Sequence, residues 1–348
     1  MTQAIASNKT AMLAGIWQQV LHKESVALDE NFFTLGGTLC SADLLFAQIA
    51  REFGRDLPSA TIYHAQTVEQ LARHLEELTL PKFTPLVSIK PGVEPPLFIV
   101  HGLAGTVPFF NLAQQIQTDN SVIGIAAKGI DGLEDPYESV ESMAALYQKS
   151  VQELQPKGPY LLAGYSFGGL VALEMAQRLT AVGEKVALLV LIDAYPDSCQ
   201  LSSSQRLRLT ARRARRHLVE PRRLRNRLFS YGARGLDLGR RVVGMDHADH
   251  GGCSESRLSF ARATALVKDK AYVALAHYCP RFYGGEIKFI KSKSDSYFPA
   301  DPAAVWSKWA RQFEFESVPG SHLDMMTTDF SSLAEVLTRY VQEFAQAL

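Results

Sequence analysis

The sequence predicts a two-part α/β protein: a small helical bundle, then a larger, mostly parallel sheet with helices on both faces. Three observations predict it. Apolar residues recur at helical spacing through positions 1–80, prolines cluster at 81–96, and short apolar runs then alternate with helix-length segments. Strands that are apolar throughout, separated by helices, are buried on both sides, as in parallel sheets. A chain of 348 residues also exceeds one ordinary domain.

In the N-terminal part, Ala11, Leu13, Ile16, Trp17, Val20 and Leu21 fall on one helical face, as do Leu44, Leu45, Ile49 and Phe53 before Gly54, a helix stop. A third helix, 67–78, opens at the N-cap candidate Thr67 and aligns Leu71, Leu75 and Leu78. The bundle is expected over 8–80. Pro81, Pro85, Pro91, Pro95 and Pro96 then mark 81–96 as a proline-rich linker and entry strand. The second part, 84–348, has strand candidates at 86–89, 97–100, 121–125, 160–163, 186–192, 287–290 and 313–318. Helices are expected at 109–116, 139–154, 167–179 and 302–309. Residues 195–280 form a long helical insertion without a convincing strand.

Composition narrows the function classes. Hydrophobic residues make up 47% and charged residues 21%, and the formal net charge is zero, which argues against a protein that works by binding nucleic acid. Cys40, Cys199, Cys253 and Cys279 are scattered, with no C-x-x-C pair, so a reducing, cytoplasmic setting and no metal site are expected. No stretch has the signal-peptide pattern or the roughly 20 apolar residues of a membrane span.

The sharpest motif is AGYSFGG at 163–169, between the apolar run YLLA and the helical run GLVALEMAQRL. In that context G-x-S-x-G has a mechanical meaning: Gly164 and Gly168 permit a sharp strand-to-helix turn that projects Ser166 from the sheet of an α/β-hydrolase. The N–H of Phe167, at the helix start, can then stabilise an oxyanion. Serine is a weak nucleophile and needs a histidine base oriented by a carboxylate. His322, in VPGSHLDMM after the run FEFESV, is the expected base, whereas His277 lies in a helical stretch and is expected to pack there. Two acids compete. Asp193 ends VALLVLID, and Asp295 follows IKFI in the loop KSKSDSYF. His101-Gly102 follows the strand LFIV, so the main-chain N–H of Leu103 or Ala104 is the expected second oxyanion donor. His101 itself is expected to be a structural, hydrogen-bonded residue.

With these residues in place, 84–348 resembles the type I thioesterases that end nonribosomal peptide and polyketide assembly lines. FIVHGLAGTVPFF, IGIAAKGIDG, GYSFGGLVALEMA, LVLIDAYP and PGSHLDMM carry the resemblance. It implies that the acid follows the strand after the nucleophile, which selects Asp193, 27 positions beyond Ser166. It also implies that the insertion, about 195–280, is a helical lid over an acyl-binding cavity, and that the thioesterase needs no cofactor.

Residues 8–80 are similar to a peptidyl or acyl carrier domain, through DENFFTLGG, AREFG, DLP and TVEQLARHLEE. Such domains carry phosphopantetheine on a serine separated from the glycine pair by one intervening residue. Here Thr38 is followed by Leu39, which has no hydroxyl, and Ser41 lies two residues on. The arm is therefore expected on the substrate's carrier and is in doubt on this chain. Two readings stay open: an active carrier, or a relic that docks or shields the thioesterase.

The implied function is release of an acyl or peptidyl chain from a phosphopantetheine carrier, by hydrolysis or intramolecular acyl transfer. The implied partner is a carrier protein or upstream synthetase, with no nucleic acid and no membrane. Thirteen arginines between 201 and 245 read as amphipathic lid helices with a solvated basic face, and next as a contact for an acidic carrier or its phosphates. DHADH at 246–250 reads as a polar loop in preference to a metal site. A free-standing esterase or acyl-CoA hydrolase, and a non-catalytic docking module, remain as alternatives.

Overall fold

The computed structural model describes residues 2–76, 83–103, 105–219, 259–294 and 298–346. The chain begins with α1 (Thr2–Leu21), α2 (Leu39–Phe53), a 3-10 turn (Ser59–Tyr63) and α3 (Val68–Glu76). In α1, Leu13, Ile16, Trp17 and Val20 are buried at helical spacing. The second helix starts at Leu39, earlier than the apolar pattern indicates, because Thr38 caps it. Thr38 and Ser41 form a reciprocal capping box, and Gly54 ends the helix at φ 65°.

The α/β part continues with β1 (Leu86–Lys90), β2 (Val93–Val100), α4 (Pro108–Gln115), β3 (Asn120–Ile125), α5 (Val140–Leu154), β4 (Tyr160–Tyr165), α6 (Phe167–Ala181) and β5 (Val186–Ile192). After it come α7 (Ser203–Val219), α8 (Phe260–His277), β6 (Tyr283–Ser292), α9 (Ala303–Trp306), β7 (Ala310–Val318), α10 (Asp324–Thr327) and α11 (Ser331–Gln346). The seven strands form one sheet in the order β1-β3-β2-β4-β5-β6-β7. β1 is antiparallel to β3 and every other pairing is parallel. This is an α/β-hydrolase sheet, in the class that the strand pattern predicts.

The prolines at 95 and 96 lie inside β2, within the stretch expected to be linker and entry strand. They fit because pairing between β2 and β3 shifts register between Val93 and Leu97, where a residue without an N–H loses no ladder bond. From Leu97 onward the strand is buried on both sides. Leu97 and Ile99 face the core beneath α4 and α11, whereas Phe98 and Val100 face that beneath α5 and α6. The first of these cores is continuous with the helical bundle, since Trp17, Phe32, Phe33 and Tyr63 belong to it.

Candidate active site

Neighbouring parallel strands end on the same edge of a sheet, so β4, β5, β6 and β7 deliver their C-terminal residues and the loops beyond them to one place. Ser166 comes directly after β4, Asp193 directly after β5, Ser292 ends β6 and His322 lies four residues after β7.

Ser166 sits in the turn with φ 55° and ψ −122°, a strained conformation for a residue with a side chain. Its N–H is held by the Ile192 carbonyl at 2.8 Å. The flanking glycines are required by close backbone approach. A Cβ at Gly164 would lie 2.2 Å from the Gly168 carbonyl oxygen, and one at Gly168 would lie 2.2 Å from that of His101. The strand, the turn and α6 can therefore pack only without those methyl groups.

The imidazole of His322 joins two of the other side chains. Its Nε2 lies 3.0 Å from Ser166 Oγ, and its Nδ1 lies 2.9 Å from Asp193 Oδ2. The carboxylate can only accept, so Nδ1 carries the proton and Nε2 is left to accept from the serine hydroxyl. Asp193 is 1% exposed and adopts φ 46°. Its N–H donates to Ile290 O at 2.7 Å. Ser292 donates to the carboxylate twice, through Oγ to Oδ2 at 2.7 Å and through N–H to Oδ1 at 3.4 Å. Burial of an unpaired carboxylate would be costly, and these donors with the imidazole satisfy it.

Tyr165 and Phe298 frame the imidazole. The Tyr165 ring stacks on it, and Phe298 lies at 4.9 Å with its plane tilted by 55°. Tyr165 also touches the loop after β2, where a Cβ on Gly102 would meet its ring at 2.7 Å. In that loop His101 is buried, with Nδ1 3.0 Å from Gly102 O and Nε2 2.8 Å from the Tyr147 hydroxyl. Burial lowers its pKa to about 4, so the ring is neutral near pH 7. It donates from Nδ1 to the carbonyl and accepts at Nε2 from Tyr147, a structural arrangement of the kind the sequence suggests.

Phe167 opens α6, which aims that helix's N-terminal partial charge at the serine. Leu103 lies in the bend after His101, and Ala104 and Asp295 are outside the described residues. The expectation that His277 packs inside its helix is corrected. It ends α8 with an exposed ring, because its Nδ1 turns back to Val273 O at 2.8 Å on the outer face. The basic residues from 220 onward and the stretch 246–250 also lie outside the described residues. Among the described residues no cluster of His, Cys, Asp and Glu could hold a metal ion, and no helix is long and apolar enough to cross a membrane.

Sequence reasoning missed Ser292, Tyr165 and Phe298. Ser292 lies on β6, separated from β5 by the whole 195–280 insertion, and nothing local reveals that the two strands pair. Tyr165 is visible inside the motif, but its stacking partner is 157 residues away.

The thioesterase domain family model matches residues 95–340. This chain belongs to the thioesterase family. A second model, for the phosphopantetheine attachment site, matches residues 12–75 of the thioesterase chain. The dimodular nonribosomal peptide synthase of Bacillus subtilis (strain 168) is 38% identical over 53% of this chain and 8% of its own length. The malpibaldin synthetase of Mortierella alpina is 28% identical over 90% of the chain and 5% of its own, and the indigoidine synthase of Streptomyces lavendulae 34% over 52% and 14%. The chain thus spans a small part of each of these relatives. Among solved structures, a four-domain nonribosomal peptide synthetase bound to AMP and glycine superposes with TM-score 0.56 at 22% identity, over 96% of this chain and 26% of that one. The NocB thioesterase domain of the nocardicin cluster superposes with TM-score 0.52 at 22% identity, over 74% of this chain and 98% of its own. At those identities the likeness is one of fold.

The carrier-type domain implies a phosphopantetheine arm, and the residues at the start of α2 do not fit one. The first helical residue is Leu39, partly buried against the core. The hydroxyls of Thr38 and Ser41 are engaged with each other's backbone N–H at 3.2 and 2.7 Å.

Proposed function

We propose that the chain is a serine thioesterase that releases an acyl or peptidyl chain from a phosphopantetheine carrier in natural-product assembly. The observation that supports this is the unbroken hydrogen-bonded chain from Asp193 through His322 to Ser166.

His322 Nε2 takes the Ser166 proton as Oγ attacks the thioester carbonyl. The imidazolium is held by Asp193, whose buried carboxylate is itself oriented by Ser292. The Phe167 N–H and one N–H of the loop after β2, at Leu103 or Ala104, stabilise the tetrahedral oxyanion. As the carbon–sulfur bond breaks, the imidazolium gives its proton to the departing thiolate, releasing the thiol and leaving an ester on Ser166. His322 then activates water, giving the free acid, or a nucleophile within the acyl chain, giving a cyclic product. The relatives include peptide and indigoidine synthases, which supports a carrier-bound substrate for this chain too.

A fluorophosphonate probe should label Ser166 stoichiometrically, and Ser166→Ala should lower turnover of an acyl-carrier thioester by at least about 10⁴-fold. Absence of the label would sink the proposal in favour of a docking module. Faster turnover of acyl-CoA or simple esters than of acyl carrier would favour the free-standing hydrolase.

A further inference from the structure

The face of the bundle from which an arm would emerge is turned into a contact with the hydrolase. Leu39 and Asp43 stand one helical turn apart on α2, hence on one side of it. Leu39 packs against the core that the bundle shares with the sheet. Asp43 reaches α8, where Oδ1 accepts from the Phe260 N–H at 2.8 Å and Oδ2 from the Ala261 N–H at 3.3 Å. A carboxylate at a helix N-terminus satisfies amides that no intrahelical carbonyl can reach and complements the helix dipole. The partner here lies 217 residues away in sequence.

Beside this half-buried carboxylate the seam is built from aromatic contacts. Phe260 is 2% exposed and meets the ring of Tyr63 edge-on at 5.3 Å. Phe33 stacks on Phe110 of α4 at 4.3 Å, and Gln66 Nε2 donates to Ser88 O of β1 at 2.8 Å. A carrier that shuttles between enzymes needs a surface it can leave. Here large aromatic rings would have to be exposed on each departure, at a cost that grows with the apolar area uncovered. A phosphodiester to phosphopantetheine also needs a hydroxyl at the first helical position, where the residue is Leu39, and the flanking Thr38 and Ser41 hydroxyls are bonded within the capping box.

We propose that the bundle is a fixed clamp that holds the N-terminus of α8 through Asp43 and takes no arm of its own, and that the acyl chain arrives on a separate carrier. The arrival of a carrier-borne acyl chain rests on the thioesterase function proposed above.

The full-length chain is incubated with coenzyme A and a broad-specificity phosphopantetheinyl transferase, with an established carrier in the same tube as control, and intact mass is read. The expected result is a loaded control and an unchanged chain; an arm mapped to any residue of the bundle overturns the proposal. Amide exchange of the peptide beginning at Phe260 is compared in the native chain, Asp43→Asn and Asp43→Ala. The alanine variant should exchange about 5–10-fold faster there, the factor expected from losing a helix cap, and Asn, which keeps one acceptor, less. Unchanged exchange in the alanine variant overturns the clamp. Neither readout depends on catalysis. Should Ser166 resist a fluorophosphonate, the thioesterase function fails while the mass and exchange results still decide the clamp.

Discussion

The ring of Tyr165 lies almost parallel to the imidazole of His322, with centroids 4.8 Å apart and planes 19° from parallel, and its hydroxyl donates to the His322 backbone carbonyl at 2.5 Å. The residue before the candidate nucleophile thus holds both the side chain and the backbone of the candidate base. Because Tyr165 also abuts Gly102, it ties the loop after β2 to the loop after β7.

Tyr165→Phe keeps the stack and removes one neutral hydrogen bond. That change should lower kcat about 3- to 10-fold with little change in KM. Tyr165→Leu should cost more, since it also removes the surface against which the imidazole rests. Steady-state kinetics with an acyl thioester measure both, and equal effects of the two variants would deny the ring a positioning role.

Asp193→Asn should reduce kcat by about 10⁴-fold, because an amide can donate to Nδ1 and stabilise the tautomer with its proton on Nε2. Ser292→Ala leaves the carboxylate in place with one fewer donor. A bond to a charged acceptor contributes about 1.5–3 kcal/mol, so a loss of about 10–100-fold is expected. A serine variant indistinguishable from the native enzyme in single-turnover acylation would deny Ser292 its supporting role.

The buried His101 binds no proton in the folded state until about pH 4, since burial depresses its pKa. In the unfolded chain it protonates near its ordinary value, about 6.5. The unfolded state therefore binds more protons between these limits, and stability falls as pH drops from about 6.5 to about 4. Burial lowers the His64 pKa to about 4 as well, with the charge of His74 adding to the effect. Thermal unfolding of the native chain should show the decline, and His64→Gln should make it shallower. An identical pH slope in that variant would rule His64 out as a contributor.

Gly168→Ala places a methyl group against the carbonyls of His101 and Val100, at 2.2 and 2.5 Å. These are backbone atoms that cannot rotate away, so a destabilisation of about 3 kcal/mol or more is expected. Gly183→Ala is the comparison, because no atom lies within 4 Å of a Cβ there, although its φ of 85° adds backbone strain. Denaturant midpoints should separate the two, with the larger loss at Gly168.

Much of the fold and the site is legible in the residues themselves. Runs such as LLVLI and FIV have no polar face, so they have to be buried strands. Ser166 is marked by the glycines at 164 and 168, whose need is local to one turn. The acid is harder, because two aspartates come after adjacent strands. In the structure His322 Nδ1 is bonded to Asp193, and from sequence the choice of Asp193 needs family resemblance because loop proximity has no signature in one chain. Pro95 and Pro96 mislead for a related reason. Their effect on a strand depends on whether the partner strand asks for their N–H, and only the pairing of β2 with β3 reveals that it does not.

By itself, the sequence determined the strand and helix periods, the strained turn at Ser166 and the absence of a hydroxyl at position 39, since each stems from side-chain chemistry within a few neighbouring residues. Only the tertiary structure decided that Ser292 supports Asp193, that Tyr165 carries His322, and that Asp43 caps a helix 217 residues away. Those contacts depend on which strands become neighbours and which faces share a core, and these are set by burial summed over the whole chain and not by any local pattern.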